Sequence, residues 1–451
     1  MNRVILGLGT NWGDAIAQRA MLRRTVRALE SPALQIRKLS PFYQSDALVP
    51  RGAPESWNRP FLNIALLVQT SDTPQALLDR VKELETKLGR KARGRWAPRE
   101  IDIDLLAYEG VELETSLLTL PHAGLLERPF ALLPFRDVAP EWRLREHSAA
   151  DWAKRLGFES PNGAPLSTTI APEPWSEWVG VLNITPDSFS DGNLHLEVEA
   201  AQAQAIHLLD QGATILDLGA ESTRPGAHPL MPDEEWARLR PVLESVLELR
   251  QGAHPRAFRV SLDSRHPETV KRALGLGIDW LNDVSGLSAP RMREVAAHAP
   301  ETSVVVMHSL SVPADRARNL PEDAQVLDEL LAWGEAKIRE LTAAGIARDR
   351  IILDPGLGFG KTPAQSFALL RDIYRLREWG TRIFVGHSRK GFMAPASVPF
   401  GERDLETAWI SEWLAGRGVD YIRLHDIEAS RRLCALGRHV RPALEWRSEG
   451  P

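Results

Sequence analysis

Two aspartates stand close together in Arg99-Glu100-Ile101-Asp102-Ile103-Asp104-Leu105, where polar and apolar residues alternate. In a strand, residues i and i+2 share a face, so Asp102 and Asp104 project side by side. Their charges repel unless a cation lies between them. Hard carboxylate oxygens suit Mg²⁺, which keeps several waters and bridges substrate phosphates. A bare Asp-x-Asp is equally the solvated face of an edge strand. Just upstream, Gly89 to Arg99 carries the cations Arg90, Lys91, Arg93, Arg95 and Arg99. Guanidinium forks grip phosphate oxygens while a divalent ion neutralises them, so cations beside a carboxylate pair match a polyphosphate. No GxxxxGK[ST] loop is present, and a nucleotide must be held by other means.

A second set of polar residues follows short apolar segments farther along. These are Asn183, Glu221 to Arg224, Asp263, Asn282 with Asp283, His308, Asp354, Ser388 to Lys390, and Arg423 with His425. Acids placed directly after buried strands carry a desolvation cost unless a ligand or neighbour pairs with them. Arg423 and His425, at i and i+2, make an anion clamp, and Thr223 and Arg224 offer another anion contact. Singly, each is also an ordinary loop residue.

The elements that must position these groups fall into two parts. In the first, Arg3–Gly9, Ile36–Tyr43, Phe61–Gln69 and Ile101–Tyr108 read as strands, and Ala15–Leu29 and Pro74–Leu88 as helices. The order β-α-β-β-α-β is that of a ferredoxin-like α+β sheet. In the second, the apolar segments Val179–Ile184, Thr214–Gly219, Arg259–Asp263, Trp280–Val284, Ser303–His308, Ile351–Asp354, Ile383–Gly386 and Tyr421–His425 alternate with helical periods. Eight such strands fit an α/β fold, either a doubly wound sheet or a (β/α)8 TIM barrel. Polar residues at nearly every strand end favour the barrel, whose carboxyl ends all meet at one face. Ser160 to Trp175 is rich in Pro, Ser and Thr and reads as a linker. The expected division is 1–158, a linker over 159–174, a barrel over 175–441 and a tail over 442–451.

Composition excludes other classes. With 451 residues, 43% hydrophobic and 25% charged, the chain is ordinary globular protein of two or three domains. A net charge of −5 leaves no global basic field for nucleic acid. The single cysteine, Cys434, allows neither an intrachain disulfide nor a thiolate metal cluster. No apolar run approaches the ~18 residues of a membrane span, and the start is too short for a signal segment. The expectation is a cytoplasmic enzyme with no membrane or nucleic-acid partner.

Over residues 2–158, GLGTN, LSPFYQS, FLN, GR…RW-x-PREIDIDLL and LPHAGLLERPF resemble 6-hydroxymethyl-7,8-dihydropterin pyrophosphokinase. The resemblance implies ATP as cosubstrate and two Mg²⁺ ions held by Asp102 and Asp104. It also implies that Arg90 and Arg99 grip ATP, that His122 contacts phosphate, and that Phe61 and Phe130 stack on a pterin that Asn63 hydrogen-bonds. Ser45-Asp46-Ala47 and Ala97 depart from the family's common Thr-x-Pro and Gly.

Over about 176–440, LNITPDSFSDG, GAESTRPG, SLDS, NDVSG, DPGLGFGK, GHSRKGF and RLHD resemble dihydropteroate synthase. A pterin presents adjacent donors to a carboxylate, and Lys390 supplies a donor to its acceptor edge. By motif match the pterin pocket is Asp263, Asn282, Asp354 and Lys390. The diphosphate and one Mg²⁺ fall to Asn183, Arg423 and His425, with Thr223 and Arg224 on the loop side. Phe359, Pro225, Ser388 and Lys390 fall on the p-aminobenzoate side.

Together the resemblances imply a bifunctional folate-pathway transferase, with a homodimer through the barrel. The alternatives are a methyltetrahydrofolate/corrinoid type of pterin-binding barrel without this chemistry, and a synthase fused to an inactive kinase-like scaffold. A methyl-carrying barrel needs no diphosphate clamp.

Overall fold

Asn2–Thr10 (β1), buried on both faces at Val4, Ile5 and Leu6, is a central strand of the first sheet. The computed structural model describes residues 1–47, 52–94, 96–157, 172–173, 175–184, 194–221, 229–254, 257–315, 317–396, 403–440 and 443–446. The chain forms two compact units, Met1–Trp175 with Gly437–Pro451, and Ser176–Leu436.

In the first unit β1 is followed by α1 (Ala15–Leu29), β2 (Leu34–Leu39), β3 (Phe42–Ser45), β4 (Phe61–Thr70), α2 (Pro74–Lys87), β5 (Asp102–Tyr108) and, beyond short turns, α3 (Pro129–Val138). Side chains of Asp14 and Thr73 cap α1 and α2 by accepting from backbone N–H groups of the first turn. β4 and β5 flank β1, both antiparallel. The single strand expected over Ile36–Tyr43 is broken at Ser40-Pro41: β2 pairs the Leu66–Thr70 half of β4, and β3 its Phe61–Asn63 half. The order of the expected ferredoxin-like sheet is retained.

The sheet's parity sorts its faces. Val4, Leu6, Leu8, Ile64, Leu66, Ile103 and Leu105 pack with Leu22, Val26, Leu77 and Val81 of the two helices. The other face, with Ile5, Ala65 and Ala107, packs on Leu132 and Phe135 of α3. Asn63, Asp102 and Asp104 have the parity of this second face.

The expected linker and tail differ from what the structure describes. Of 159–174, only Pro172–Glu173 lies among the described residues, and it pairs as a strand with β3. Residues 442–451 were expected as a tail, yet Leu444–Glu445 pairs antiparallel with β2. Trp446 is 5% exposed and meets Trp175 edge-on at 5.8 Å. The reason is that β2 and β3 lie at the edge of the sheet with free backbone groups, which these two short strands satisfy. Removing a fully packed tryptophan costs about 3–5 kcal/mol. Trp446→Ala is therefore expected to destabilise the N-terminal unit by that amount, read as a lower urea midpoint; a parent-like midpoint would contradict the packing.

The second unit is a closed parallel barrel of Glu177–Asn183, Ile215–Gly219, Arg259–Asp263, Trp280–Asp283, Ser303–Met307, Ile351–Asp354, Arg382–Gly386 and Tyr421–Leu424. All eight expected segments are its strands. Val179, Ile215, Trp280, Val305, Ile352, Phe384 and Tyr421 form a cluster of their own. It is the inward layer, since the intervening residues pack outward with the helices. Among the described residues no helix is long and apolar enough to cross a membrane.

Candidate active sites

In the first unit a cavity of about 220 Å³ opens on the α3 face of the sheet. Phe61, Asn63, Arg99, Asp102, Asp104 and Phe130 line it. Six of the residues named from the sequence thus come together from β4, β5, the loop before β5 and α3. Across the sheet Asn63 stands opposite Gly9, and Gly9 opposite Asp102. A Cβ on Gly9 would come within 2.9 Å of Asn63 Oδ1, so glycine is needed for that amide to lie against the strand. Asn63 Nδ2 donates to Ser45 Oγ at 3.1 Å. Ser45 therefore serves the amide, although it departs from the family's usual threonine pattern.

Asp102 accepts from Arg90 Nη1 at 2.7 Å through one oxygen and from Arg99 through the other. Both arginines therefore reach the metal-type carboxylate. Burial pushes the Asp104 carboxyl up, as does the neighbouring Asp102 charge, while Lys82 and His122 pull it down. Like charges sharing an enclosed strand face call for a cation, and two carboxylates give the hard oxygen donors that Mg²⁺ takes. The donor set fits that ion. Among the described residues no group of three or more His, Cys, Asp or Glu gathers as a metal cage, so water and phosphate oxygens would complete the coordination.

His122 lies outside the cavity lining; its backbone N–H donates to Leu106 O at 2.8 Å, and its Nδ1 accepts from Gly124 N at 3.2 Å. Glu85 was not foreseen. It is 2% exposed, pairs with Arg90, and accepts from Ile103 N at 2.6 Å, tying α2 to the strand between the aspartates. The sequence carried a signal, because Leu77, Val81 and Glu85 share the buried stripe of α2. Arg93 is held by Glu100 at 2.8 Å and stacks 4.1 Å from the Trp12 ring centre.

In the barrel, polar residues stand one layer above the inward apolar ones. Asp217, Asn282, Asp354 and Arg423 lie two positions beyond Ile215, Trp280, Ile352 and Tyr421, and so share their inward face. Arg423 Nε donates to Asp217 Oδ2 at 2.6 Å and Nη2 to Asp263 Oδ2 at 2.8 Å. Asn282 Nδ2 donates to the same Asp217 oxygen at 3.0 Å. Arg423, expected to clamp an anion with His425, is held by two carboxylates across the mouth, because its long side chain reaches their inward layer. His425 Nδ1 lies 3.0 Å from Ser388 Oγ.

Burial drives the Asp263 carboxyl up to about 7 against the pull of Arg423, with Asp217, Glu235 and Asp283 adding to the rise. Asp354, 4% exposed, is also pushed up by burial, while Lys390 draws it back; its Oδ1 accepts from Gly356 N at 2.7 Å. Burial lowers Lys390 to about 8, with Asp354 opposing. Lys390 Nζ donates to Leu357 O at 2.9 Å and sits 4.7 Å from the Phe359 ring centre. Asn183 ends the first barrel strand opposite Gly219. Thr223, Arg224 and Pro225 lie outside the described residues. A Cβ on Gly391 would meet nothing within 4 Å, so a small side chain would fit there.

Asp217 also escaped the sequence reading. It is fully buried within Ile-Leu-Asp-Leu-Gly, and its signal is an acid at an inward position of an otherwise apolar strand.

Both units match known families. The family described as pterin binding enzyme matches residues 179–425, and the family described as 7,8-dihydro-6-hydroxymethylpterin-pyrophosphokinase matches 5–140. The chain is 34% identical over 448 residues to the folate synthesis bifunctional protein of Chlamydia caviae, covering 97% of this chain and 99% of that one. It is 31% identical over 460 residues to the mitochondrial folate synthesis bifunctional protein of Pisum sativum, covering 94% and 87%. Among solved structures it resembles dihydropteroate synthase from Anaplasma phagocytophilum with bound 6-hydroxymethylpterin-monophosphate. That match has a TM-score of 0.53 and 36% identity over 59% of this chain and 99% of the other. A Yersinia pestis dihydropteroate synthase in complex with a sulfonamide drug matches with TM-score 0.53 and 31% identity, over 59% and 94%.

Proposed function

Because this chain belongs to the family of bifunctional folate synthesis proteins, we propose that the residues described above divide two successive transferase reactions between them. The first unit transfers diphosphate from ATP to 6-hydroxymethyl-7,8-dihydropterin, and the barrel condenses the resulting diphosphate with p-aminobenzoate to give 7,8-dihydropteroate. The first product is the second substrate.

In the cavity, Phe61 and Phe130 take the pterin ring between them and Asn63 hydrogen-bonds its edge. Asp102 and Asp104 would hold two Mg²⁺ ions, which would supply charge neutralisation to the phosphate oxygens of ATP. Arg90 and Arg99 exchange Asp102 for phosphate and stabilise charge as it moves onto departing AMP, with His122 contacting phosphate. The observation that carries this reading is the convergence of both rings, the amide and the aspartate pair on one cavity. It also speaks against an inactive scaffold.

In the barrel, Asp263, Asn282, Asp354 and Lys390 grip the pterin. Asn183 would hold one Mg²⁺, which would offset the charge of the diphosphate, while His425, Arg423, Thr223 and Arg224 bind it. The amine nitrogen of p-aminobenzoate attacks the methylene carbon as its bond to the diphosphate oxygen breaks, and the amine then loses a proton. Phe359 and Ser388 border the arylamine. A full chain supplied with hydroxymethyl-dihydropterin, MgATP and p-aminobenzoate should form AMP and dihydropteroate; absence of either product overturns the corresponding half.

Losing a charge-assisted hydrogen bond costs ~1.5–3 kcal/mol, roughly tenfold to a hundredfold in binding. Lys390→Ala should weaken pterin diphosphate binding by that factor in calorimetric titration, with AMP formation unchanged. An unchanged dissociation constant removes Lys390 from the pocket.

The proposal extends to a homodimer through the barrel's helices. Leu405 and Trp409, 75% and 54% exposed, lie at i and i+4 of the helix Asp404–Ala415, an apolar pair suited to burial against a second copy. Sedimentation should give twice the chain's mass, and a monomer at micromolar concentration would refute it. A cytoplasmic setting, supported by a single buried thiol at Cys434, completes the reading.

A further inference from the structure

A second lysine lies enclosed in the barrel beside the pterin residues. Lys361 is 4% exposed and ends the sequence Asp354-Pro355-Gly356-Leu357-Gly358-Phe359-Gly360-Lys361. Its Nζ donates to Gly356 O at 3.1 Å and Phe359 O at 3.0 Å, and lies 2.9 Å from His308 Nδ1. Three acceptors thus meet the three protons of an ammonium. Burial keeps the His308 imidazole down to about 3, so its Nδ1 lone pair is available to accept. Burial also lowers Lys361 to about 7, while Asp354 pulls it up.

The turn is built around this ammonium. Gly356 has φ +65°, and a Cβ there would stand 2.0 Å from His308 O, so the chain passes directly over the histidine backbone. His308 N in turn donates to Asp354 O at 2.9 Å. On its outer side the same turn offers Leu357 O and the Phe359 ring to Lys390. One lysine therefore sits inside the turn and the other against its outer surface, with Asp354 between them electrostatically.

We propose that Lys361 is a positioning residue for the arylamine side of the barrel: from within the 354–361 turn its ammonium fixes the Phe359 ring and the Leu357 carbonyl against Lys390, without touching either substrate. The proposal rests on the assignment of Phe359 to p-aminobenzoate made above. Without the ammonium, Gly356 O, Phe359 O and His308 Nδ1 are left buried with no donor from this side chain, and the turn must relax to find others.

The test uses the full chain, with pterin diphosphate and p-aminobenzoate varied in turn. Lys361→Met, similar in length but without donors, should raise KM for p-aminobenzoate roughly tenfold to a hundredfold. The kcat should stay within about threefold of the parent, and KM for pterin diphosphate should rise less than KM for p-aminobenzoate, because Lys390 also grips the pterin whereas Phe359 serves the arylamine alone. Lys361→Arg, which keeps the charge, should recover part of the effect. An equal fall in kcat with both KM values unchanged overturns the proposal, since that is what general loosening would give. If Lys361→Met does not fold, His308→Leu removes one of the three acceptors and leaves the ammonium. A smaller rise in the same KM is then expected, and a parent-like KM overturns the proposal. A parent chain that forms no dihydropteroate refutes the functional reading itself, before any substitution is made.

Discussion

Replacing Asp104 by alanine is expected to lower diphosphate transfer by on the order of a thousandfold, equivalent to about 4 kcal/mol of transition-state stabilisation. The barrel's condensation, supplied with pterin diphosphate, should proceed at the parent rate, because Asp104 lies in the cavity of the other unit. A second readout distinguishes metal binding from structural support. Burial and the Asp102 charge already disfavour the ionised Asp104 carboxylate, so its removal relieves repulsion in the free protein. Thermal unfolding without Mg²⁺ or nucleotide should therefore show a midpoint no lower than the parent's. Asp102→Ala differs, because it frees Arg90 and Arg99 from their shared partner and should lower the midpoint. AMP formation at the parent rate in Asp104→Ala would falsify the metal assignment.

Arg423→Met is the second large effect. The guanidinium bridges Asp217 and Asp263, and its loss leaves two enclosed carboxylates facing one another. Removing one partner of such a pair costs ~3–5 kcal/mol, and dihydropteroate formation should fall by at least a hundredfold. Stability should also become pH-dependent in a defined sense. Asp263 stands at about 7 even with Arg423 pulling it down, and without that pull it rises further. A carboxyl whose folded pKa exceeds its unfolded value of about 3.9 binds more protons folded than unfolded between the two, so stability falls as pH rises through that window. The variant should lose stability from pH 6 to pH 8 more steeply than the parent. Parallel pH profiles would show that Arg423 does not balance these carboxylates.

Much of this was legible in the sequence, and for a local reason. Strand periodicity places Asp102 beside Asp104, and eight apolar segments with polar ends specify a barrel whose chemistry gathers at one mouth. The motif match gathered Asp263, Asn282, Asp354 and Lys390 into one pocket, and the barrel then set Asn282, Asp354 and Arg423 on a shared inward face. Motif order alone pairs the two catalytic halves.

Other features depend on partners far apart in the chain. Asp217 reads as one polar residue in an apolar strand until Arg423, more than two hundred positions later, closes on it. Glu85 looks like a misplaced charge on a helix until Arg90 and the Ile103 amide reach it. Lys361 resembles a loop cation, yet the turn that precedes it wraps its ammonium with the help of His308. Leu444–Glu445 has no strand pattern of its own, and only the free edge of β2 makes it one. Sequence by itself determined the periodic elements, the two folds and the residue types at each site, because side-chain direction along a strand or helix is a local property. The tertiary structure alone decided which buried charges neutralise one another and where the chain end pairs, because those choices minimise desolvation and unsatisfied hydrogen bonding among segments that meet only after folding.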